Sequence, residues 1–371
     1  MQSTKRAIGR FKPMHFAPFV AALAMAACSE RASTASIVTD DVATTSTAET
    51  PRDGRVILIT IDGARWQDVF QGSDPSLGGA PSAPPEQLMP RAHALVATRG
   101  VAIGATRAGC GTVHTAGASN VSLPGYLEIF TGHASHCLDN ACAQVEETVF
   151  DEAARDERMS VASIGSWEML GRAVSGGASG VITSVGRDWP EAVPVSGHLA
   201  ELVEAGRNVN PYPGIDAYRP DAATSAIALE YLRVNKPALF HIGLGDTDEL
   251  GHRNDYGGYL AALKQADDTI GAVADILDTM GEDGATTTVI VTPDHGRNSD
   301  FKDHGVFRPE SGRTFVLAFG GRVAVQGLGC PSHDYTLADI APTIRVLMGL
   351  PKDRADGAGR AIDLITEARS K

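Results

Sequence analysis

The chain has 371 residues, is 43% hydrophobic and carries a formal net charge of -13, which suits one large α/β domain or two small ones. So acidic a surface repels nucleic acid and anionic bilayers, so no nucleic acid binding is expected. A phosphate-type substrate would then need metal ions to create a locally positive site.

The chain opens with a basic stretch containing Lys5, Arg6, Arg10 and Lys12, followed by an apolar run from Phe16 to Ala27. Residues 1–28 read as a secretory signal, too short in its apolar part to span a bilayer comfortably. Met25-Ala26-Ala27-Cys28 resembles a bacterial lipobox, with Met25 where Leu is usual. It predicts a lipid anchor at Cys28, the expected link to a membrane, and Ser29 then favours the outer membrane. The alternative is an ordinary cleaved signal and a periplasmic protein. Residues 29–54 are rich in Ser, Thr, Ala and acidic groups, so they read as a flexible linker that buries no core.

Residues 55–365 are expected to form one catalytic domain. Strand-like runs occur at Val56–Ile61, Ser160–Ile164, Ala238–Leu244, Thr287–Thr292 and Thr314–Phe319. Helical periodicity lies between them at Gln87–Thr98, Val145–Arg155, Ala222–Val234, Gly258–Met280 and Leu337–Met348. This alternation predicts an α/β fold, a mostly parallel central sheet with helices on both faces. The Gly- and Pro-rich residues 171–220 read as a cap insertion over the site. Cys110, Cys137, Cys142 and Cys330 suggest disulfides in an exported protein. Cys137 and Cys142 are close enough for a local loop, which leaves Cys110 with Cys330, although three pairings are open.

Potential metal ligands fall near the ends of the apolar runs, where open α/β sheets place ligand sites. Asp62 follows VILITI and precedes Gly63; alone, that pattern can be only a turn. Ser122 stands before Leu123-Pro124, and Pro124 suits the first turn of a helix. A serine there faces the anion-attracting helix start, and a divalent metal would make its alcohol a usable nucleophile. The plainer reading is a helix cap. Asp248 and His252 stand in DELGH, with the spacing of one helical turn; nearby Asp246 could be a supporting acceptor. Asp294 and His295 end TVIVTP, and two such groups on a buried strand end are costly unless compensated, which a metal does. His304 in KDHG completes the set, preferred over His333 in CPSHDY.

With these motifs in this order, the chain resembles the alkaline phosphatase superfamily. Within it, the pattern is similar to the type I phosphodiesterase/nucleotide pyrophosphatase branch and related bacterial phosphatases. The resemblance covers about Val56 to Leu350. It implies two divalent metal ions, zinc or manganese, and a small phosphorylated substrate. One ion would use Asp248, His252 and His304, the other Asp62, Asp294, His295 and Ser122. It also implies a phosphoseryl intermediate on Ser122, and it makes Asn140 or Asn120 a candidate phosphate contact. Arg65, Arg172 and Arg297 are candidate charges for the substrate. Two departures stand out. Gly125-Tyr126 follow Pro124 where the family often has Asn or His, and Trp167 and Glu168 occupy the stretch where monoesterases carry a Lys-x-Arg pair.

The competing expectations share the fold or lack the chemistry. A sulfatase needs C/S-x-P-x-R, and the fifth position here is Tyr126. A phosphoglycerate mutase shares the metals, but an exported chain would rarely meet its substrate. A non-catalytic, metal-containing surface binding protein would be expected to have lost some of the seven ligand-type residues.

Overall fold

The computed structural model describes residues 54–78, 82–143, 146–353 and 356–367, all within one compact unit, Glu49–Lys371. The expected signal, the lipobox Cys28 and all of the linker but Gly54 lie outside the described residues. No helix among the described residues is long and apolar enough to cross a membrane.

Eight strands form the central sheet: β1 (Arg55–Ile61), β2 (Gly100–Ile103), β3 (Val161–Gly165), β4 (Val181–Val185), β5 (Leu239–Leu244), β6 (Thr287–Thr292), β7 (Val316–Gly320) and β8 (Gly327–Leu328). Their order is β8-β2-β7-β6-β1-β5-β3-β4. Only β7 runs against its neighbours, β2 and β6. The helices that matter for packing are α1 (Pro90–Arg99), α2 (Ser122–Thr131), α3 (Val149–Ala154), α4 (Gly197–Asn208), α5 (Asp221–Asn235), α6 (Asp246–His252), α7 (Tyr256–Thr279) and α8 (Ile340–Met348).

The pleat of β1 sorts its side chains between two cores, because successive residues face opposite sides of a sheet. Ile57, Ile59 and Ile61 join residues of α1, α5 and α7. Val56 and Leu58 join residues of α2, α3 and α8. Helices therefore cover both faces, and β1, β5 and β6, buried from both sides, are the continuous β-branched runs seen in the sequence.

The five predicted strands are present, with ends shifted by up to two residues. The helix expected over Gln87–Thr98 is two, Pro85–Leu88 and α1, broken at Met89. Pro90 lacks the N–H that would continue the first helix and begins the second. The helix expected over Val145–Arg155 is the shorter α3, and Val145 lies outside the described residues. The helix expected over Leu337–Met348 begins with a 3-10 turn, Leu337–Asp339.

Residues 171–220 are not a separate insertion throughout. They supply β4, the edge strand paired with β3, and α4, which packs on α5. Their last part meets α6 and the residue after it. There Arg253 Nε donates to the Pro213 carbonyl at 2.8 Å, its guanidinium lies over Tyr212, and Tyr218 donates to Asp246. Two disulfides form, Cys110–Cys330 and Cys137–Cys142.

Candidate metal centre

Three neighbouring strands, β6, β1 and β5, end side by side and deliver Asp294 with His295, Asp62 and α6 to one place. Gly63 follows Asp62 with φ +62, and a Cβ there would lie 2.5 Å from Asp248 Oδ1 and 2.8 Å from Arg297. Glycine is therefore required for these strand ends to close on one another. From the other side, α2 points its first turn into the cluster. Gly125 makes that approach possible, since a Cβ would sit 2.2 Å from the Asp294 carbonyl. This close contact accounts for glycine where the resembling family often has Asn or His.

Ser122 is buried at the start of α2. Its Oγ lies 3.4 Å from Asp62 Oδ1 and 3.3 Å from His295 Nε2. It is the first residue of the helix, with Val121 at the cap position, so the helix-cap reading is set aside. His295 Nε2 lies 3.5 Å from both Asp62 Oδ1 and Asp294 Oδ2. On the outer side, His252 Nε2 is 3.0 Å from Asp248 Oδ2 and 3.0 Å from His304 Nε2. The seven expected residues thus converge, grouped as Asp62, Asp294 and His295 and as Asp248, His295 and His304. The second grouping differs from expectation: His295 bridges both, and His252 sits at the rim.

The imidazoles are oriented from behind. His295 Nδ1 meets the Gly296 carbonyl at 2.8 Å, and His304 Nδ1 meets the Asn120 carbonyl at 2.8 Å. Since a carbonyl only accepts, each Nδ1 carries the proton and each Nε2 lone pair faces the cluster, as a metal ligand requires. Burial holds both imidazoles below their ordinary range, hence neutral.

The carboxylates are less settled. Burial, then the charges of Asp294 and Asp248, push Asp62 well above the usual carboxylate range. Burial and Asp248 do the same to Asp294. Asp294 Oδ1 accepts from the Gly63 amide at 3.1 Å, but its buried Oδ2 has no hydrogen-bond partner among the described residues. An orphaned carboxylate oxygen beside a second carboxylate and a neutral imidazole fits a divalent cation. The oxygen and nitrogen donors suit zinc or manganese chemistry. Asp248 is different. Burial would raise it, but Arg297, His304 and His252 together hold it well below the carboxylate range.

The candidate substrate residues separate cleanly. Asn140 Oδ1 accepts from the Leu123 amide at 2.9 Å, which places it beside the nucleophile. The Asn120 amide is committed instead to Thr115 and the Arg308 carbonyl; what Asn120 supplies is the carbonyl that holds His304. Arg65 does not face the cluster: it is buried among Asp68, Asp74, Tyr256 and Phe301. Arg297 pairs with Asp248 and donates to the Phe301 and Lys302 carbonyls. Arg172 donates to the Cys142 carbonyl. Asp246 accepts from Tyr218 and the Asp221 amide rather than supporting a ligand. His333 lies against Tyr335 at 4.7 Å, leaving His304 as the ligand-type histidine.

Two supports were not visible in the sequence. Tyr126 donates to Asp62 Oδ2 at 3.2 Å. Glu128 is buried under the loops that flank the nucleophile and accepts from the Ala116, Gly117 and Ser135 amides. Burial raises its pKa to about 7 despite those bonds. A cavity of about 1100 Å³ beside Thr131 and Arg345 lies at the far end of α2, roughly 14 Å along the helix axis from Ser122.

Residues 213–352 match the family described as Metalloenzyme superfamily. That stretch contains Asp248, His252, Asp294, His295 and His304 but neither Asp62 nor Ser122. Curated relatives include the 2,3-bisphosphoglycerate-independent phosphoglycerate mutases of Haloarcula marismortui and Thermosynechococcus vestitus. The first is 28% identical over 37% of this chain and 25% of that protein, the second 26% over 38% and 28%. The chain thus spans about a quarter of the length of these relatives. Among solved structures, a 2-O GAG sulfatase aligns with TM-score 0.55 and 13% identity over 86% of this chain and 76% of that one. An alkaline phosphatase aligns with TM-score 0.55 and 11% identity over 86% and 100%. A phosphonate monoester hydrolase from Silicibacter pomeroyi aligns with TM-score 0.55 and 14% identity over 84% and 76%. The family model matches part of the chain, and the solved structures share its fold, an alkaline phosphatase-like arrangement of a mostly parallel sheet flanked by helices.

Proposed function

We propose that the protein is a metal-dependent hydrolase of phosphoric esters with Ser122 as its nucleophile. The observation that carries this reading is the place of Ser122 Oγ, buried at a helix start between Asp62 and His295. Asp62, Asp294, His295 and Ser122 would hold an inner ion, and Asp248, His252 and His304 an outer one, zinc or manganese. Such ions, when bound, lower the pKa of the serine alcohol and stabilise charge on the transferred group.

Ser122 Oγ attacks phosphorus, and the bond from phosphorus to the leaving oxygen breaks, releasing the alcohol. Water then attacks the same phosphorus, the bond from phosphorus to Ser122 Oγ breaks, the phosphoric product leaves, and Oγ regains a proton from that water. The positive end of the α2 dipole favours the anionic group, and the Asn140 amide, held beside the nucleophile by the Leu123 N–H, would contact it. A phosphodiester is favoured over a monoester, because Arg65, Arg172 and Arg297 are all committed elsewhere and none is left for the extra charge. Sulfate esters are disfavoured, since Tyr126 stands where the sulfatase motif has Arg and is buried against Asp62.

The same reading makes the protein exported, anchored by lipid at Cys28 or periplasmic. Two disulfides in a small acidic enzyme support an oxidising compartment. The partner is a small phosphorylated molecule.

The test compares a p-nitrophenyl phosphate monoester with a p-nitrophenyl phosphodiester, with zinc or manganese, for wild type and Ser122→Ala. Turnover that disappears with Ser122 supports the class, and a higher rate on the diester supports the preference. Full turnover by Ser122→Ala would refute the nucleophile.

A further inference from the structure

Glu128 is a buried carboxylate that the proposed reaction does not use. It follows Ser122 on α2, about 9 Å along the helix axis, and is fully buried. No lysine or arginine pairs with it among the described residues. Its Oε2 accepts from the Ala116 amide at 2.6 Å and its Oε1 from the Gly117 amide at 2.5 Å. The Ser135 amide makes a longer third contact to Oε1, at 3.5 Å. A carboxylate taken out of water is costly unless compensated, and here the compensation is loop backbone. Gly117 lets that loop come so close: a Cβ there would lie 2.6 Å from Glu128 Oε1 and 2.7 Å from the Ser135 carbonyl.

Both loops lead to the candidate metal centre. From Ala116 and Gly117 the chain runs to Asn120, whose carbonyl meets His304 Nδ1 at 2.8 Å, and then to Ser122. From Ser135 it runs through the Cys137–Cys142 disulfide to Asn140, whose Oδ1 accepts from the Leu123 amide at 2.9 Å. The loops are also tied to each other, since the buried Ser119 hydroxyl donates to the Leu138 carbonyl at 2.8 Å. One carboxylate thus fastens the root of the segment that orients an outer ligand and the root of the segment that carries the candidate phosphate contact. The Ala116 and Gly117 amides need both oxygens as acceptors, which the ionised group supplies and a side-chain amide does not.

We propose that Glu128 is the positioning residue of the nucleophile loops, holding residues 116–120 and 135–140 so that His304 meets the outer ion and Asn140 the transferred group. The proposal rests on His304 being a ligand of the outer ion and on Ser122 being the nucleophile.

The test is chelator competition for zinc on the purified protein at several pH values, with melting of the metal-free form alongside. Glu128→Gln is nearly isosteric and turns one acceptor into a donor. Its outer zinc should weaken roughly tenfold, the low end for groups that orient a ligand, and phosphodiester turnover should fall with it. Glu152→Gln is the control. Glu152 pairs with Arg345 beside Thr131, the last residue of α2, so this variant should melt lower with zinc affinity unchanged. The groups that face the Glu128 carboxylate are the three amides, and burial raises its pKa to about 7. As pH falls through that value, wild-type Glu128 takes up a proton and loses an acceptor, so the zinc affinities of wild type and Glu128→Gln should draw together. Outer-zinc affinity in Glu128→Gln equal to that of wild type at every pH, or an equal zinc loss in Glu152→Gln, would reduce Glu128 to core packing and overturn the proposal. If Glu128→Gln does not fold, Gly117→Ala, which pushes the loop off an intact carboxylate, decides by the same zinc criterion. His304→Ala identifies the outer ion and separates the two levels. Loss of one zinc there, with Glu128→Gln unchanged, leaves the enzyme reading intact and removes only this proposal. Two zinc ions retained in His304→Ala would overturn both.

Discussion

Asp62 and Asp294 are buried, and no lysine or arginine pairs with either among the described residues apart from the imidazole of His295. Asp248, a few ångströms away, already shares its charge with Arg297, His252 and His304. The inner half of the cluster thus has carboxylates pushed up toward neutrality and an oxygen with no partner. The outer half has a carboxylate held ionised by the protein itself. The lesson is that the inner half depends on a cation from outside the chain, whereas at the outer half an ion must share Asp248 with Arg297.

The strongest way to break this contrast is Asp294→Ala. It should abolish the inner ion and lower turnover by roughly a thousandfold or more. Metal analysis and steady-state rates check it, and an active, fully loaded variant would contradict the assignment.

Arg297→Met should make the outer half resemble the inner one. Removing one partner of a buried pair costs about 3–5 kcal/mol, so the metal-free protein should lose that much stability in denaturant melts, with zinc restoring a larger share than it adds to wild type. Equal zinc stabilisation in both proteins would show that Asp248 does not depend on Arg297.

The pH behaviour sharpens the comparison. A carboxyl whose folded pKa lies above 3.8 contributes stability that is full below that value and is lost as pH rises through the folded pKa. Asp294→Asn removes that loss, so the metal-free variant should gain stability relative to wild type as pH climbs from about 4, while binding zinc more weakly. Parallel stability profiles for the two would contradict a raised Asp294. The smallest effect is expected from His252→Ala. Its pair with Asp248 is half exposed, 47% on the histidine side, so metal-free stability should change by less than about 1 kcal/mol. Binding of the outer ion should still weaken in a zinc titration.

Much of this centre is legible in the sequence because its ligands sit at the ends of long β-branched strands, where position along the chain fixes position in space. Asp294 and His295 need little more than that, whereas Asp62 before Gly63 is told from a turn only by the company of the other motifs. The order of motifs supplied Ser122 and His304. The arginines could not be placed, since Arg65 and Arg297 each stand a few residues beyond a strand and differ only in which acid they meet. Glu128 looks like an ordinary helix residue; its bonds to the Ala116, Gly117 and Ser135 amides exist only once the loops fold back on α2. Strand β4 and helix α4 were hidden by surrounding Gly and Pro, which mark turns but do not show what lies between them. Asn140 was found from its distance past the nucleophile, and its contact with the Leu123 amide required the fold.

The most direct measurement is peptide mapping of the zinc-loaded protein quenched in acid during turnover of a phosphodiester. The account predicts, on the peptide carrying Ser122, a phosphoryl group that retains the second ester of the substrate, and none in Ser122→Ala. Turnover with no phosphorylated Ser122, together with an active Ser122→Ala variant, would contradict it.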